Sequence, residues 1–162
     1  MYYFELYQIP VSFLPDIASI KKQYFVLSKQ YHPDFYSNTS PEKQAEILAL
    51  STQVNKAYAV LTDMDKRMRY ILMEAGYLLE EEKFILPQDF LMEMMDINES
   101  LDEDEPAVTR TKVMNYEKEL FSGIEPVLVA YNDHNTVAMQ DRLKAYYYKK
   151  KYLRRILDRL PD

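Results

Sequence analysis

The 162-residue chain has no cysteine and no tryptophan, only two glycines and only two histidines. Without cysteine there is no disulfide framework, no thiolate zinc site, no cysteine-ligated iron–sulfur cluster and no thiol nucleophile. Gly76 and Gly123 stand far apart. A phosphate-cradling P-loop or a dinucleotide-binding glycine loop needs several glycines close together, so neither is available. Two imidazoles, His32 and His134, cannot build a multi-histidine metal centre. No apolar run approaches the ~18 residues of a membrane span. Residues 1–10 lack the cationic and apolar blocks of a secretory signal, and they are not rich in Arg and Ser as a transit peptide is. The expectation is a cytoplasmic protein with no metal, no cofactor and no membrane partner.

What is abundant is Tyr (15 residues), Met (9 residues) and charge. Charge is unevenly placed. Residues 1–76 carry 8 basic and 8 acidic side chains, a net of zero. Residues 80–105 carry 11 acids against Lys83, a net of −10. Residues 138–160 carry 8 bases against Asp141 and Asp158, a net of +6. Blocks of opposite sign pair with each other in the fold or with partners of opposite sign. The basic block also bears the apolar stripe Met139, Leu143, Tyr146, Leu153, Leu157 and Leu160, which demands burial. Intramolecular neutralisation is therefore favoured over nucleic-acid binding.

The apolar periodicity is helical throughout, and an all-α fold follows. Ile17, Ile20, Tyr24, Leu27 and Tyr31 recur at spacings of three and four, behind Asp16 as an N-cap. Lys22, Val26 and Lys29 fall on the opposite, solvent side. Pro33 ends this helix near Tyr31. Residues 32–40 read as a loop, and Ser40-Pro41 reads as the next helix start. Its stripe runs Ile47, Leu50, Val54, Tyr58, Leu61. A shorter helix over 65–75 follows, with Gly76 as its C-terminal cap. The two long stripes predict an antiparallel helical hairpin. Beyond an acidic connection at 77–86, helices are expected over 87–101, from about 107 to 131 with a kink at Gly123 and Pro126, and in a last segment that carries Met139 to Leu160. Asp133, His134 and Asn135 form the break between the last two, with His134 as a turn residue. The chain divides into 1–76 and 77–162.

Two constellations stand out. His32-Pro33-Asp34 places an imidazole, a rigid proline and a carboxylate at the tip of the hairpin. Proline lowers the entropy lost when a partner docks on such a loop. In the helix over 87–101, Phe90, Met94, Ile97 and Leu101 cluster as a core face. Met92, Met95 and Glu99 lie opposite, flanked by Leu91 and Asp96. An outward Leu/Met patch rimmed by acids suits an adaptable protein-binding surface.

The run Tyr24–Leu27 and Tyr31-His32-Pro33-Asp34, then Val54-Asn55-Lys56-Ala57-Tyr58, Leu61, Asp65-Lys66-Arg67 and Tyr70, resembles the J-domain signature over residues 1–76. The resemblance implies a helical hairpin that docks on a DnaK-type ATPase chaperone through His32, Pro33 and Asp34, with Lys22 and Lys29 beside them. J-domains often carry basic residues directly after the second-helix tyrosine. Here Phe25 and Val26 stand there, and the positive face is thinned to Lys21, Lys22 and Lys29.

The whole chain resembles a narrower family, the HscB-type iron–sulfur co-chaperones. Tyr3-Phe4-Glu5-Leu6-Tyr7 with Pro10, and Asp89-Phe90-Leu91-Met92-Glu93 with Ile97, Glu99, Leu101 and Asp102, carry that resemblance. It implies a J-domain followed by a three-helix bundle that binds the iron–sulfur scaffold protein IscU. The implied scaffold contacts are Leu91, Met92, Met95, Asp96 and Glu99, with an aromatic from the last helix at Tyr146 or Tyr147. The implied function is non-enzymatic: stimulating an HscA-like chaperone's ATPase and delivering the scaffold. A J-domain adaptor for a different protein client is the alternative. A structural or nucleic-acid-binding helical protein with a fortuitous His-Pro-Asp is the competitor from another class.

Overall fold

The computed structural model describes residues 1–131 and 136–161, and of residue 102 the backbone alone. His134, expected as a turn residue, lies outside the described residues. Every regular element among them is helical, and there is no strand. The chain forms two compact units, Met1–Ala75 and Gly76–Asp162.

The first unit holds α1 (Tyr2–Leu6), α2 (Ile17–Gln30), a 3₁₀ turn (Pro33–Tyr36), α3 (Pro41–Leu61) and α4 (Met64–Glu74). Local chemistry starts each long helix. Asp16 accepts from the Ala18 amide at 3.0 Å, Ser40 from Lys43 at 3.3 Å and Asp63 from Lys66 at 2.9 Å. These side chains satisfy amide donors that the first turn leaves unpaired. The Asp16 carboxyl is held below the usual range by its hydrogen bonds, first from the Ser19 hydroxyl and then from Ala18 N–H. Gly76 takes φ +73°, the left-handed conformation that suits glycine just beyond α4.

Ile20 and Leu27 of α2 and Ile47, Val54, Ala57 and Leu61 of α3 are buried, as their spacing predicts. α1 has no counterpart in the sequence reading. Five residues are too few to show a period, and tertiary contacts hold this helix instead. Phe4 and Tyr7 are buried, and the Tyr7 hydroxyl donates to the Val54 carbonyl at 2.8 Å. The Tyr3 amide donates to the Tyr70 hydroxyl at 3.1 Å, with their rings stacked 4.6 Å apart. Arg67 is buried at 5 % exposure. Its Nε donates to the Phe13 carbonyl at 3.0 Å and its Nη1 to the Leu61 carbonyl at 2.5 Å. The guanidinium thus ties the α3–α4 corner to the loop before α2, and burial lowers its pKa.

The second unit holds α5 (Gln88–Glu103), α6 (Pro106–Val129) and α7 (Val137–Leu157). α6 packs against both α5 and α7. Phe90, Met94 and Ile97 of α5, Val113 of α6 and Leu153 and Ile156 of α7 form one core cluster. The stripe expected on α7 is corrected at its end. Ile156 is buried, whereas Leu157 is partly covered. Neighbouring residues differ by about 100° around a helix, and the crossing with α5 and α6 selects Ile156. α5 runs two residues further than expected, which shortens the acidic turn before α6.

The acidic segment before α5 lies along the basic face of α7. Glu82 pairs with Lys144, Phe84 stacks on Tyr148 at 4.5 Å with the rings 3° from parallel, and the Tyr148 hydroxyl reaches the Glu82 carbonyl at 3.4 Å. Lys144 holds the Glu82 carboxyl below its usual range. Lys149 lies over the Phe90 ring at 5.2 Å, a cation–π contact that also occupies part of the basic block. Lys112 bonds Ser100 Oγ at 2.6 Å and Asp104 at 2.7 Å, closing the α5–α6 turn.

Candidate functional sites on two helical units

The first candidate site is the loop between α2 and α3. Pro33 holds His32 extended, at φ −71° and ψ 124°, and opens the 3₁₀ turn. His32 Nδ1 accepts the Asp34 amide hydrogen at 3.3 Å. Asp34 stands with its side chain 86 % exposed, 3.7 Å from the imidazole. The turn beneath it is tied down. Tyr36 donates to the Gln30 carbonyl at 2.9 Å, Thr39 to the Tyr36 carbonyl at 2.7 Å, and Gln44 to the carbonyls of Ser37 and Thr39 at 3.1 and 3.0 Å. Behind the loop, Tyr24 stacks on Tyr58 at 4.2 Å and donates to Asn55 at 3.1 Å, fastening α2 to α3. Tyr36, Gln44 and Asn55 escape a search for reactive side chains because their work is positional.

His32, Pro33, Asp34, Lys22 and Lys29 are all exposed. An exposed carboxylate on a pinned loop can accept a charge-assisted hydrogen bond from a partner cation with little ordering cost.

The second candidate site is the outward face of α5. Met92 and Met95 are 63 % and 60 % exposed and Leu91 is 40 % exposed. Asp96 and Glu99 are exposed on the same helix. Met94 and Phe90 are buried on the other side. The five residues expected here thus share an accessible surface, a contiguous apolar patch with acids beside it.

Tyr146 does not join that surface, which corrects the expectation for it. It is 5 % exposed and lines a groove with Glu93, Tyr116, Arg142 and Lys149. Its position on α7 lies on the stripe with Leu143 and Leu153, and the bundle claims that stripe for its core. Tyr147, the other position considered, is half-buried and packs edge-on against Tyr148 at 5.2 Å. In the same groove, burial and the neighbouring Glu93 carboxylate push the Tyr116 hydroxyl above its ordinary range.

Among the described residues no helix is long and apolar enough to cross a membrane.

Comparison with known proteins agrees with this geometry. The DnaJ domain family model matches residues 3–70, which span the hairpin and its loop. The co-chaperone protein HscB homolog of Haemophilus ducreyi is 34 % identical over 119 residues, covering 72 % of this chain and 69 % of that protein. This chain belongs to the HscB co-chaperone family. The HscB homolog of Colwellia psychrerythraea is 29 % identical across the whole of this chain and 97 % of its own length, so the similarity extends through both units. The crystal structure of human co-chaperone protein HscB superposes with a TM-score of 0.78 at 27 % identity, covering 98 % of this chain and 79 % of that one. Chaperone HscB from Vibrio cholerae shares the fold, with a TM-score of 0.71 over 98 % of this chain and 94 % of that one at 24 % identity. The chain is an all-α J-domain co-chaperone of the HscB type, and a chaperone is its partner.

Proposed function

We propose that this HscB-family chain stimulates the ATPase of a DnaK-type, HscA-like chaperone through His32-Pro33-Asp34, and that its second unit presents an IscU-like iron–sulfur scaffold protein for cluster assembly and transfer. The chain performs no covalent chemistry of its own in this reading, and it works in the cytoplasm. The observation that carries the chaperone half is Asp34, an exposed carboxylate on a loop held by five side-chain bonds to backbone carbonyls. The exposed Leu91, Met92 and Met95 with Asp96 and Glu99 support the cargo half. Joining the two in one chain raises the local concentration of captured cargo at the chaperone.

The test is single-turnover ATP hydrolysis by the chaperone, with and without the scaffold protein. Losing one member of a desolvated interfacial charge pair costs about 2–5 kcal/mol. Asp34→Asn is therefore expected to abolish stimulation, with an unchanged circular dichroism spectrum and melting curve. Wild-type stimulation by that variant refutes the chaperone half. A titration in which the scaffold protein fails to bind the intact chain refutes the cargo half and favours a different client.

A further inference from the structure

The outward face of α2 is not the continuous cationic strip that its lysines alone indicate. At about 100° per residue, Lys22 and Lys29 fall within about 20° of each other, with Phe25 about 60° to one side and Val26 about 40° to the other. Phe25 is 72 % exposed and Val26 52 % exposed. Two large apolar side chains thus stand in solvent at the centre of a strip with a lysine at each end.

Phe25 is held on a firm base. Its ring lies 5.8 Å from that of Tyr24, which α3 fixes through Tyr58 and Asn55. The strip also runs directly into the loop: the His32 amide donates to the Lys29 carbonyl at 3.5 Å. In the loop itself Phe35 is a further exposed aromatic, its ring 5.7 Å from His32. Apolar surface therefore accompanies the polar tip on both sides of the helix end.

We propose that Phe25 and Val26 form an apolar anchor for the ATPase chaperone, which meets this strip with an apolar recess rimmed by carboxylates. The proposal rests on the reading that the His32-Pro33-Asp34 loop engages that chaperone. It adds that apolar burial on α2 contributes docking affinity beyond that of the Asp34 contact, while the maximal stimulation depends on the loop. Two features select this occupant. The strip is continuous with the loop, so a partner on Asp34 reaches it without a second binding event. The lysines at both ends favour a partner with acids at matching places. They oppose a second copy of the chain, because two such strips related by a two-fold axis bring lysine against lysine. Burial of Phe25 and Val26 is insensitive to salt, whereas the lysine contacts are screened.

The experiment titrates the full chain against the HscA-type chaperone of the same organism and follows ATP hydrolysis. Phe25→Ser with Val26→Ser is expected to raise the concentration for half-maximal stimulation at least tenfold while leaving the maximum unchanged at saturation. Lys22→Ala with Lys29→Ala shifts that concentration less than threefold at about 0.15 M salt, where the Debye length is about 8 Å. Raising the salt shifts the unaltered chain by less than threefold, but strongly shifts a Phe25→Lys, Val26→Arg chain. Both serine substitutions lie at exposed sites, so the melting temperature stays within a few degrees, and Phe25→Leu restores most of the affinity.

An unchanged half-maximal concentration in the double serine variant overturns the anchor and leaves the loop reading standing, provided that Asp34→Asn abolishes stimulation. No stimulation by the unaltered chain overturns both. A dimer that sediments in the unaltered chain and vanishes in the double serine variant, with stimulation unaffected, reassigns the strip to self-association and overturns the anchor.

Discussion

Replacing Met92 and Met95 together by alanine separates a docking surface from a core. Both side chains stand in solvent, at 63 % and 60 % exposure, while Met94 between them is fully buried. Complete burial of a methionine side chain stabilises by about 1.5–3 kcal/mol. Occluding the exposed part of these two under the scaffold protein contributes roughly 1–2 kcal/mol each on the same scale. Alanine retains a share of that burial, so the double variant loses about 1.5–3 kcal/mol of binding. Converted at 1.4 kcal/mol per tenfold, the dissociation constant rises about 10- to 150-fold.

Stability responds in the opposite pattern. Exposed substitutions usually stay within about 0.5 kcal/mol, so the Met92→Ala, Met95→Ala chain keeps its melting temperature. Met94→Ala opens a cavity beside Phe90 and Val113, at about 2–5 kcal/mol for a buried Met. For a unit of this size that is a fall of at least about 10 °C. Calorimetric titration with the scaffold protein measures the first effect and thermal denaturation the second. Unaltered scaffold affinity in the double variant refutes the docking role. A melting temperature that falls as far as in Met94→Ala shows instead that the outer methionines are packed.

Other perturbations report on the frame that presents the loop. Arg67→Met leaves the carbonyls of Phe13 and Leu61 without their donor. At about 1–3 kcal/mol per buried unpaired group, the first unit should unfold several degrees earlier by circular dichroism, with Arg67→Lys recovering part of the loss. Tyr7→Phe removes the 2.8 Å bond to Val54 and should cost about 1–2 kcal/mol at neutral pH, read from chemical denaturation. Burial also raises the Tyr7 pKa above its ordinary value. The folded chain then keeps a proton that the unfolded chain releases. The stabilisation is complete below about pH 10 and declines above it by up to about 1.4 kcal/mol per pH unit. Tyr7→Phe should flatten that alkaline decline, and an unchanged slope refutes the assignment.

Much of this molecule is legible as periodicity. Ile20 and Leu27, Val54 and Leu61, and Phe90, Met94 and Ile97 turn inward at the places their spacing predicts. Met92 and Met95 turn outward for the same reason. The misses share another cause. α1 is shorter than any period. Arg67 enters the sequence reading only as part of the J-domain signature, and nothing in its neighbours' pattern marks it as buried until two carbonyls converge on it. Tyr146 lies on the apolar stripe whose spacing demands burial, and only the family resemblance placed it at a surface contact; the bundle follows the stripe.

The sequence by itself determined the helices after α1, the caps Asp16, Ser40 and Gly76, the extended backbone at His32 before Pro33, and the sidedness of α2, α3 and α5. Each of these follows from interactions within a few residues, where the helical repeat and local hydrogen bonds are strong enough to decide. Tertiary structure decided which of two adjacent apolar residues on α7 is buried, that Glu82 finds Lys144, and that Tyr7 and Arg67 close the first unit on backbone carbonyls. Those choices join residues tens of positions apart. Composition states that opposite charges and spare donors exist, but only the folded chain brings a particular pair within hydrogen-bonding distance.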